Sequence, residues 1–288
     1  MNSTTQLSPD WRRWIAENLA RGCDPESLIA DMVRKKFDAG YARGAVVGLL
    51  GRDARPEAGS APDSAYVYET PRLPRGNVIR ACDRDVPVVM RIERPFIAVV
   101  DGLLSSTECD ELVQRSKRRL RRSTTVDPAR GTDEVIPDRS SDGTFFPINA
   151  DPFITRLDRR IAALMNCPLE HGEGLQILRY RTGGQYTPHF DYFPPTDPGS
   201  RTPMANGGQR VSSLIIYLND VDDGGATIFP ELKLTVGPKK GAAVYFEYCN
   251  SRNQVDPMTL HGGMPVLEGE KWIATKWMRQ HRYGQPSV

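Results

Sequence analysis

The stretch YRTGGQYTPHFD, residues 180–191, decides the fold of this chain because it places a histidine and an aspartate two residues apart. In an extended strand alternate side chains point to the same face, so His189 and Asp191 can bind one metal ion. A third ligand is available in His261, within LHGG, in a chain that has 4 histidines. Two imidazoles and one carboxylate that leave other positions of the ion open are typical of non-haem Fe(II) oxygenases. The HxD pattern alone is also typical of a simple hydrogen-bonded pair, so the surrounding sequence has to decide.

Three longer motifs surround these residues. They are LRYRTGGQYTPHFDYF (178–193), GGQRVSSLIIYLNDVDDGGATIFP (207–230) and TLHGGMPVLEGEKWIATKW (259–277). Over residues 95–283 the chain resembles the 2-oxoglutarate- and Fe(II)-dependent dioxygenases of the prolyl 4-hydroxylase type. The resemblance implies that His189, Asp191 and His261 bind iron and are the catalytic centre. It also implies O2 as a cosubstrate, and ascorbate is a further candidate cofactor.

The same resemblance assigns the 2-oxoglutarate site. It implies that Lys271 pairs with the distal carboxylate of 2-oxoglutarate and that Tyr180 donates a hydrogen bond to the same end. In a strand, Lys271, Thr275 and Trp277 share one face, so we also expect the Thr275 hydroxyl on the cofactor side. A buried lysine is costly unless it is paired, and a dicarboxylate would pair it.

For the substrate, the resemblance implies a prolyl residue of a peptide or protein, contacted by Tyr186, Arg210 and Trp277. The aromatic residues could instead be core residues, and Arg210 could belong to a structural ion pair. The family often has a histidine two residues after the tryptophan, where this chain has Arg279. A free or carrier-bound amino acid, or another small molecule, is therefore an alternative substrate.

A long segment with little periodicity, residues 124–146, contains RSSDG and several turn formers. Long loops in compact domains are often lids over active sites, and the resemblance places Arg139 in such a loop against the substrate. A plain surface loop is the alternative.

The strand pattern favours a mainly β architecture with flanking helices. Many short strands separated by glycine and proline turns predict a closed or double-sheet fold, and the resemblance makes this the double-stranded β-helix, or jelly roll. Residues 1–50 are predicted as an N-terminal helical unit, 51–76 as a linker rich in proline and glycine, and 77–288 as the dioxygenase domain.

Composition limits the function classes. The net charge of +2 gives no general basic footprint for nucleic acid, so a nucleic-acid demethylase of the same fold is disfavoured. No apolar run is long enough for a membrane span and the N-terminus lacks the apolar core of a signal peptide, so we expect a cytoplasmic protein without a membrane partner. A non-catalytic domain that only binds 2-oxoglutarate stays open as an alternative, as does the oligomeric state, for which a homodimer is one candidate.

Overall fold

The computed structural model places the chain in two compact units, residues 1–64 and 65–288. The described residues are 9–20, 23–35, 37, 42–43, 45–46, 66–126, 133–134 and 140–284. Within these ranges no helix is long and apolar enough to cross a membrane.

The N-terminal unit contains helices α1 (Pro9–Ala20) and α2 (Pro25–Arg34). Asp24 caps α2, because its carboxylate accepts a hydrogen bond from the backbone of Ser27 at 3.1 Å. The two helices bury an apolar core that includes Ile15, Leu28, Ile29, Met32 and Phe37. Residues 42–43 and 45–46, which are also described, are helical.

Residues 51–65 of the predicted linker lie outside the described residues, whereas 66–76 pack on the larger unit. The backbone of Val67 donates to the side chain of Gln254 at 3.1 Å, and the Arg72 guanidinium pairs with Glu247 at 3.2 Å. The domain boundaries drawn at residues 50 and 76 stay predictions.

The larger unit consists mainly of short antiparallel strands. The strands are β1 (Val78–Ala81), β2 (Arg84–Glu93), β3 (Phe96–Val100), β4 (Arg121–Arg122), β5 (Thr125–Val126), β6 (Asp133–Glu134), β7 (Asp142–Phe146), β8 (Leu175–Arg181), β9 (Tyr186–His189), β10 (Arg210–Tyr217), β11 (Asp223–Gly224), β12 (Thr227–Phe229), β13 (Leu234–Val236), β14 (Ala243–Glu247), β15 (His261–Gly263), β16 (Val266–Glu268) and β17 (Glu270–Arg279). The helices of this unit are α3 (Ser106–Ser116), α4 (Pro152–Met165) and α5 (Arg201–Met204).

Two of the sheets face each other. The larger has the order β1-β2-β3-β14-β10-β17-β8-β7-β4, and the smaller has the order β13-β12-β15-β9. Their inner faces meet through side chains: the rings of Phe229 on β12 and Phe246 on β14 lie 5.2 Å apart, and Tyr217 on β10 donates to Thr227 on β12 at 2.8 Å. This arrangement confirms the predicted jelly roll, in which the cleft between the sheets is available for a site.

Strand β17 has one face toward the cleft and the other toward the helices, because its side chains alternate between the two faces of the sheet. Lys271 and Trp277 belong to one face, and Lys276 belongs to the other. On that other face the Lys276 ammonium lies 2.8 Å from Asp158 of α4, and both side chains are only 1% exposed. The apolar stripe of helix α4 is buried at Ile154, Leu157, Ile161, Leu164 and Met165.

The segment predicted as a long loop, residues 124–146, is not a loop throughout. Residues 142–146 form β7, which pairs with β8 at the edge of the large sheet. β7 forms because the backbone edge of β8 offers it hydrogen-bond partners, and the local sequence pattern does not show this. Residues 127–132 and 135–139 lie outside the described residues, and Arg139 is among them.

The Lys276 and Asp158 pair gives a stability prediction. Substitution Lys276→Met removes one partner and leaves a buried carboxylate uncompensated, so we expect a loss of about 3–5 kcal/mol in the free energy of unfolding. The matched change Lys239→Met removes an ion pair whose lysine side chain is 65% exposed, and we expect a loss of at most about 1 kcal/mol there. Urea unfolding of both variants measures the difference. Equal losses in the two variants would contradict the structural role assigned to this pair.

Candidate metal centre and cosubstrate site

The two histidines meet because β9 and β15 are adjacent antiparallel strands. His189 and His261 are direct partners in the register, and their ring centroids lie 4.5 Å apart. Gly262 permits this close approach, since a Cβ atom there would lie 3.0 Å from the carbonyl oxygen of Tyr186 and 3.1 Å from the backbone nitrogen of Pro188. The pairing of the two histidines therefore depends on Gly262, which follows His261 on β15.

Both imidazoles are oriented in the same way by their own strands. The Nδ1 atom of His189 lies 2.9 Å from the carbonyl oxygen of Thr187, and that of His261 lies 3.0 Å from the carbonyl oxygen of Thr259. A carbonyl oxygen can only accept a hydrogen bond, so each Nδ1 carries the donated proton and each Nε2 is the nitrogen available to a metal ion. Such a hydrogen bond behind the ring is the usual support of a metal-binding histidine.

Asp191 completes the group. Its two carboxylate oxygens lie 3.7 Å from Nε2 of His189 and 3.5 Å from Nε2 of His261, and all the potential ligand atoms fall within 4.8 Å of one another. The Ser213 hydroxyl, on β10, donates to the carboxylate at 2.5 Å and lies 3.0 Å from the Tyr248 hydroxyl. Burial raises the pKa of Asp191, but His261 and His189 when protonated, the charge of Arg210 and the hydrogen bond from Ser213 lower it below its usual range, so the carboxylate is ionised.

This donor set fits Fe(II). Two neutral nitrogens and one carboxylate converge from one side, and the arrangement leaves the opposite positions of the ion for other ligands. Around it the rings of Tyr186, Phe229 and Phe246 pack against the histidines, with Tyr186 stacked on His189 at 3.6 Å and Phe246 lying 4.6 Å from His261. The site is thus built for a redox-active ion in a largely apolar setting.

Lys271 lies beside the metal site. A Cβ atom at Gly263, two residues after His261, would lie 3.8 Å from its Nζ atom, and the ammonium also lies 5.7 Å from the Tyr180 ring and 5.8 Å from the Tyr217 ring. The side chain is buried, and no carboxylate pairs with it among the described residues. Burial lowers its pKa to about 8. A buried ammonium without an acidic partner fits the carboxylate of a ligand such as 2-oxoglutarate.

The two other predicted cosubstrate residues are close to Lys271 along the sheet. Tyr180 is its direct partner on β8, and Thr275 lies four residues later on the same face of β17. Both are buried. Their roles toward the cosubstrate stay predictions.

The predicted substrate residues fall into two groups. Tyr186 is stacked on His189, as described above, whereas Arg210 and Trp277 lie together, with the guanidinium carbon 4.0 Å from the Trp277 ring centre. Arg210 also makes a two-pronged ion pair with Glu173, at 2.6 and 2.9 Å, and donates to the carbonyl oxygen of Asp191 at 3.2 Å. The structure thus gives Arg210 the ion pair that was the alternative interpretation, and also places it next to a metal ligand. Arg139 lies outside the described residues.

Two residues of the site were not predicted. Ser213 fixes the Asp191 carboxylate, and Glu173 binds Arg210. For Ser213 a signal existed, because it is a polar residue on the same strand face as Ile215 and Tyr217. Glu173 lies outside β8, and no local pattern indicates its partner.

Removal of any ligand should abolish tight metal binding. We expect His189→Ala, Asp191→Ala and His261→Ala each to weaken Fe(II) binding by more than about 100-fold, since even residues that only support a ligand change affinity by about 10–100-fold. Anaerobic calorimetry with Fe(II) measures this, with circular dichroism to check the fold. The matched control is His281→Ala, because His281 is exposed and is not one of the three grouped residues. Stoichiometric tight binding by His189→Ala would contradict the assigned metal centre.

Comparison with known proteins identifies the family. The model of the 2OG-Fe(II) oxygenase superfamily matches residues 175–279, which include the three metal-binding residues and Lys271. The chain is 36% identical over 208 residues to probable prolyl 4-hydroxylase 10 of Arabidopsis thaliana, covering 66% of this chain and 70% of that protein. It is also 36% identical over 206 residues to prolyl 4-hydroxylase 2 of the same plant, covering 64% and 67%.

A solved structure agrees with these relatives. The viral collagen prolyl hydroxylase of Paramecium bursaria Chlorella virus 1, determined as a 2OG complex, aligns with a TM-score of 0.50 and 28% identity, covering 64% of this chain and 95% of that one. The resemblance expected from the motifs is confirmed. The chain belongs to the prolyl 4-hydroxylase family of 2-oxoglutarate- and Fe(II)-dependent dioxygenases.

Proposed function

We propose that this protein hydroxylates a prolyl residue of a peptide or protein. The observation that carries the proposal is the position of a two-histidine, one-carboxylate group beside a buried lysine that has no acidic partner among the described residues, in one cleft of a prolyl 4-hydroxylase fold. When bound, iron and 2-oxoglutarate supply the oxidising chemistry: 2-oxoglutarate and O2 are consumed, succinate and CO2 are released, and one oxygen atom enters a substrate C–H bond.

The chain's own residues hold and orient the reactants. Thr187 and Thr259 fix the imidazoles through their carbonyl oxygens, and Ser213 fixes the carboxylate of Asp191. Lys271 provides the positive charge for the distal carboxylate of 2-oxoglutarate, with Tyr180 beside it and Thr275 further along the same strand. Ligands held in this way approach the metal with little reorganisation, which is the protein's contribution to such chemistry.

Aromatic residues give the cleft a dry lining. Tyr186 covers one face of His189, and Phe229 and Phe246 flank His261. Exclusion of water from such a site strengthens its electrostatic interactions and protects reactive species from side reactions. We assign substrate contact to Tyr186, which stacks on His189, to Arg210, which donates to Asp191, and to Trp277, which packs on Arg210. We retain Arg139 as a predicted contact. The cytoplasmic location, a homodimer and a role for ascorbate also stay predictions.

Mass spectrometry of the reaction products tests the function. The protein is incubated in air with Fe(II), 2-oxoglutarate and a panel of proline-containing peptides beside free amino acids, with His189→Ala as the inactive control. We expect one added oxygen on a peptide proline, absent from the control. Oxidation of a free amino acid alone would keep the enzyme class and reject the peptide substrate. Absence of any 2-oxoglutarate consumption would favour a non-catalytic binding domain.

The charge of Lys271 makes a second prediction. Lys271→Ala should raise the KM for 2-oxoglutarate by about 10- to 100-fold, because a hydrogen bond to a charged group contributes about 1.5–3 kcal/mol. In the wild type the same KM should rise as the pH increases through about 8, since the unliganded lysine loses its proton there and the ligand carboxylate loses its partner.

Initial rates at several pH values, in the wild type and in Lys271→Ala, test both statements. The matched control is Lys239→Ala, which changes an exposed lysine and should leave the KM and its pH dependence intact. A KM for 2-oxoglutarate that is the same in Lys271→Ala and in the wild type would reject the assignment of Lys271.

A further inference from the structure

Two arginines share one buried carboxylate at the end of the cleft that is remote from Lys271. Arg210 and Arg279 are direct partners across β10 and β17. Glu173 accepts from Nε and a terminal nitrogen of Arg210 at 2.6 and 2.9 Å, and from Nε of Arg279 at 2.6 Å. Like charges opposite each other on neighbouring strands repel, and Glu173 relieves that repulsion. We call these three residues the arginine cluster.

The arginine cluster lies next to the metal site. Arg210 donates to the backbone carbonyl of Asp191, and its guanidinium is packed between the rings of Trp277, at 4.0 Å, and Phe193, at 5.0 Å. Lys271 lies eight residues before Arg279 on β17, roughly 26 Å away at about 3.3 Å per strand residue. The cleft thus has one cationic end for the cosubstrate and a second cationic end beyond the metal ligands.

The arginine cluster carries an excess positive charge. Burial raises the pKa of Glu173, but Arg210 and Arg279 lower it below its usual range, so Glu173 is ionised. Arginine stays protonated in proteins, so within the cluster two positive charges face one negative charge. The Asp191 carboxylate also acts on Arg210, but its oxygens face the imidazoles of His189 and His261. Among the described residues no second carboxylate pairs with either guanidinium. A buried excess charge is costly unless a ligand or solvent compensates it.

The neighbouring groups offer donors. The indole Nε1 of Trp277 is buried and has no acceptor among the described residues. The two arginines differ in access, because the Arg210 side chain is 17% exposed and that of Arg279 is 3% exposed. Arg279 is further occupied by the carbonyl oxygens of Pro203 and Gly208. Arg210 is therefore the guanidinium that can reach a ligand, and Arg279 supplies the charge that Glu173 would otherwise cancel.

We propose that the arginine cluster is a subsite for a substrate carboxylate, contacted by Arg210 and the indole of Trp277, with Arg279 as the specificity-determining residue. The inference rests on the proposed function and adds a substrate class: prolyl peptides with an acidic side chain near the proline, or with a free C-terminal carboxylate close to it. Excess positive charge favours a carboxylate over a neutral carbonyl. Without that charge the same hydrogen-bond donors would bind either group equally well.

Matched peptides test the subsite. In one series a single Glu is moved through the positions on either side of the proline, and each peptide is compared with its Gln counterpart, with both ends blocked. In a second series the same short peptide ends in a free carboxylate or in an amide close to the proline. We expect kcat/KM to be higher by about tenfold or more for the acidic member of at least one pair, because a hydrogen bond to a charged group stabilises binding by that factor. The pair that responds distinguishes a side-chain from a terminal carboxylate.

Variants of Arg279 then separate specificity from structure. In Arg279→Gln, Glu173 is left to neutralise Arg210 alone, so the acidic-to-neutral ratio of kcat/KM should fall toward one. Arg279→Lys keeps the charge and should retain most of the ratio. A purely structural arginine would change kcat/KM of both peptides together and leave the ratio as in the wild type.

The outcomes distinguish the two claims. Hydroxylation of all peptides with equal kcat/KM for the acidic and neutral members would overturn the carboxylate subsite and leave the proposed function intact. A wild-type preference that persists in Arg279→Gln would reject the role of Arg279. Failure of every peptide to be hydroxylated, with 2-oxoglutarate still consumed, would contradict the proposed function and the subsite with it.

Discussion

The antiparallel pairing of β9 with β15 is the constraint on which the site depends. It sets His189 opposite His261, and Gly262 allows the two backbones to approach. Neither strand is long, so the pair is stable only as part of the small sheet that closes over the large one. The jelly roll therefore creates the metal site: the register of β9 and β15 pairs the two histidines, and Asp191, which lies just after the end of β9, converges on them.

Buried charges are compensated differently on the two faces of the large sheet. On the helical face, Lys276 has a partner in Asp158, so the charges cancel within the fold. On the cleft face, Lys271 has no acidic partner among the described residues, and the arginine cluster has one carboxylate for two guanidiniums. A charge that a fold compensates internally contributes to structure, whereas a charge that it leaves uncompensated favours binding of an anion. Both ends of the cleft carry positive charge that favours anionic ligands, and the metal ligands lie between these ends.

Much of this site follows from the sequence because its residues obey strand periodicity. The two-residue spacing of His189 and Asp191 correctly predicts that they converge, although β9 ends at His189 and Asp191 lies beyond the strand. Within β17 the same parity places Lys271 with Thr275 and Trp277. The jelly roll itself came from the resemblance, because short strands alone are compatible with several β folds. The partners of charged residues could not be predicted. Glu173 reaches Arg210 and Arg279 only through tertiary structure. The odd and even positions on β17 show that Lys271 and Lys276 lie on opposite faces, but they do not show which of the two lysines pairs with an aspartate. Strand β7 was also missed, since its residues are held by the edge of β8 and show no alternation of their own.

An anaerobic crystal structure with Fe(II) and 2-oxoglutarate tests the central claim most directly, with anomalous scattering to locate the iron. The account predicts iron bound by Nε2 of His189, Nε2 of His261 and a carboxylate oxygen of Asp191, with the distal carboxylate of 2-oxoglutarate within hydrogen-bonding distance of Nζ of Lys271. Iron held by other residues, or a 2-oxoglutarate carboxylate that lies away from Lys271, would contradict it.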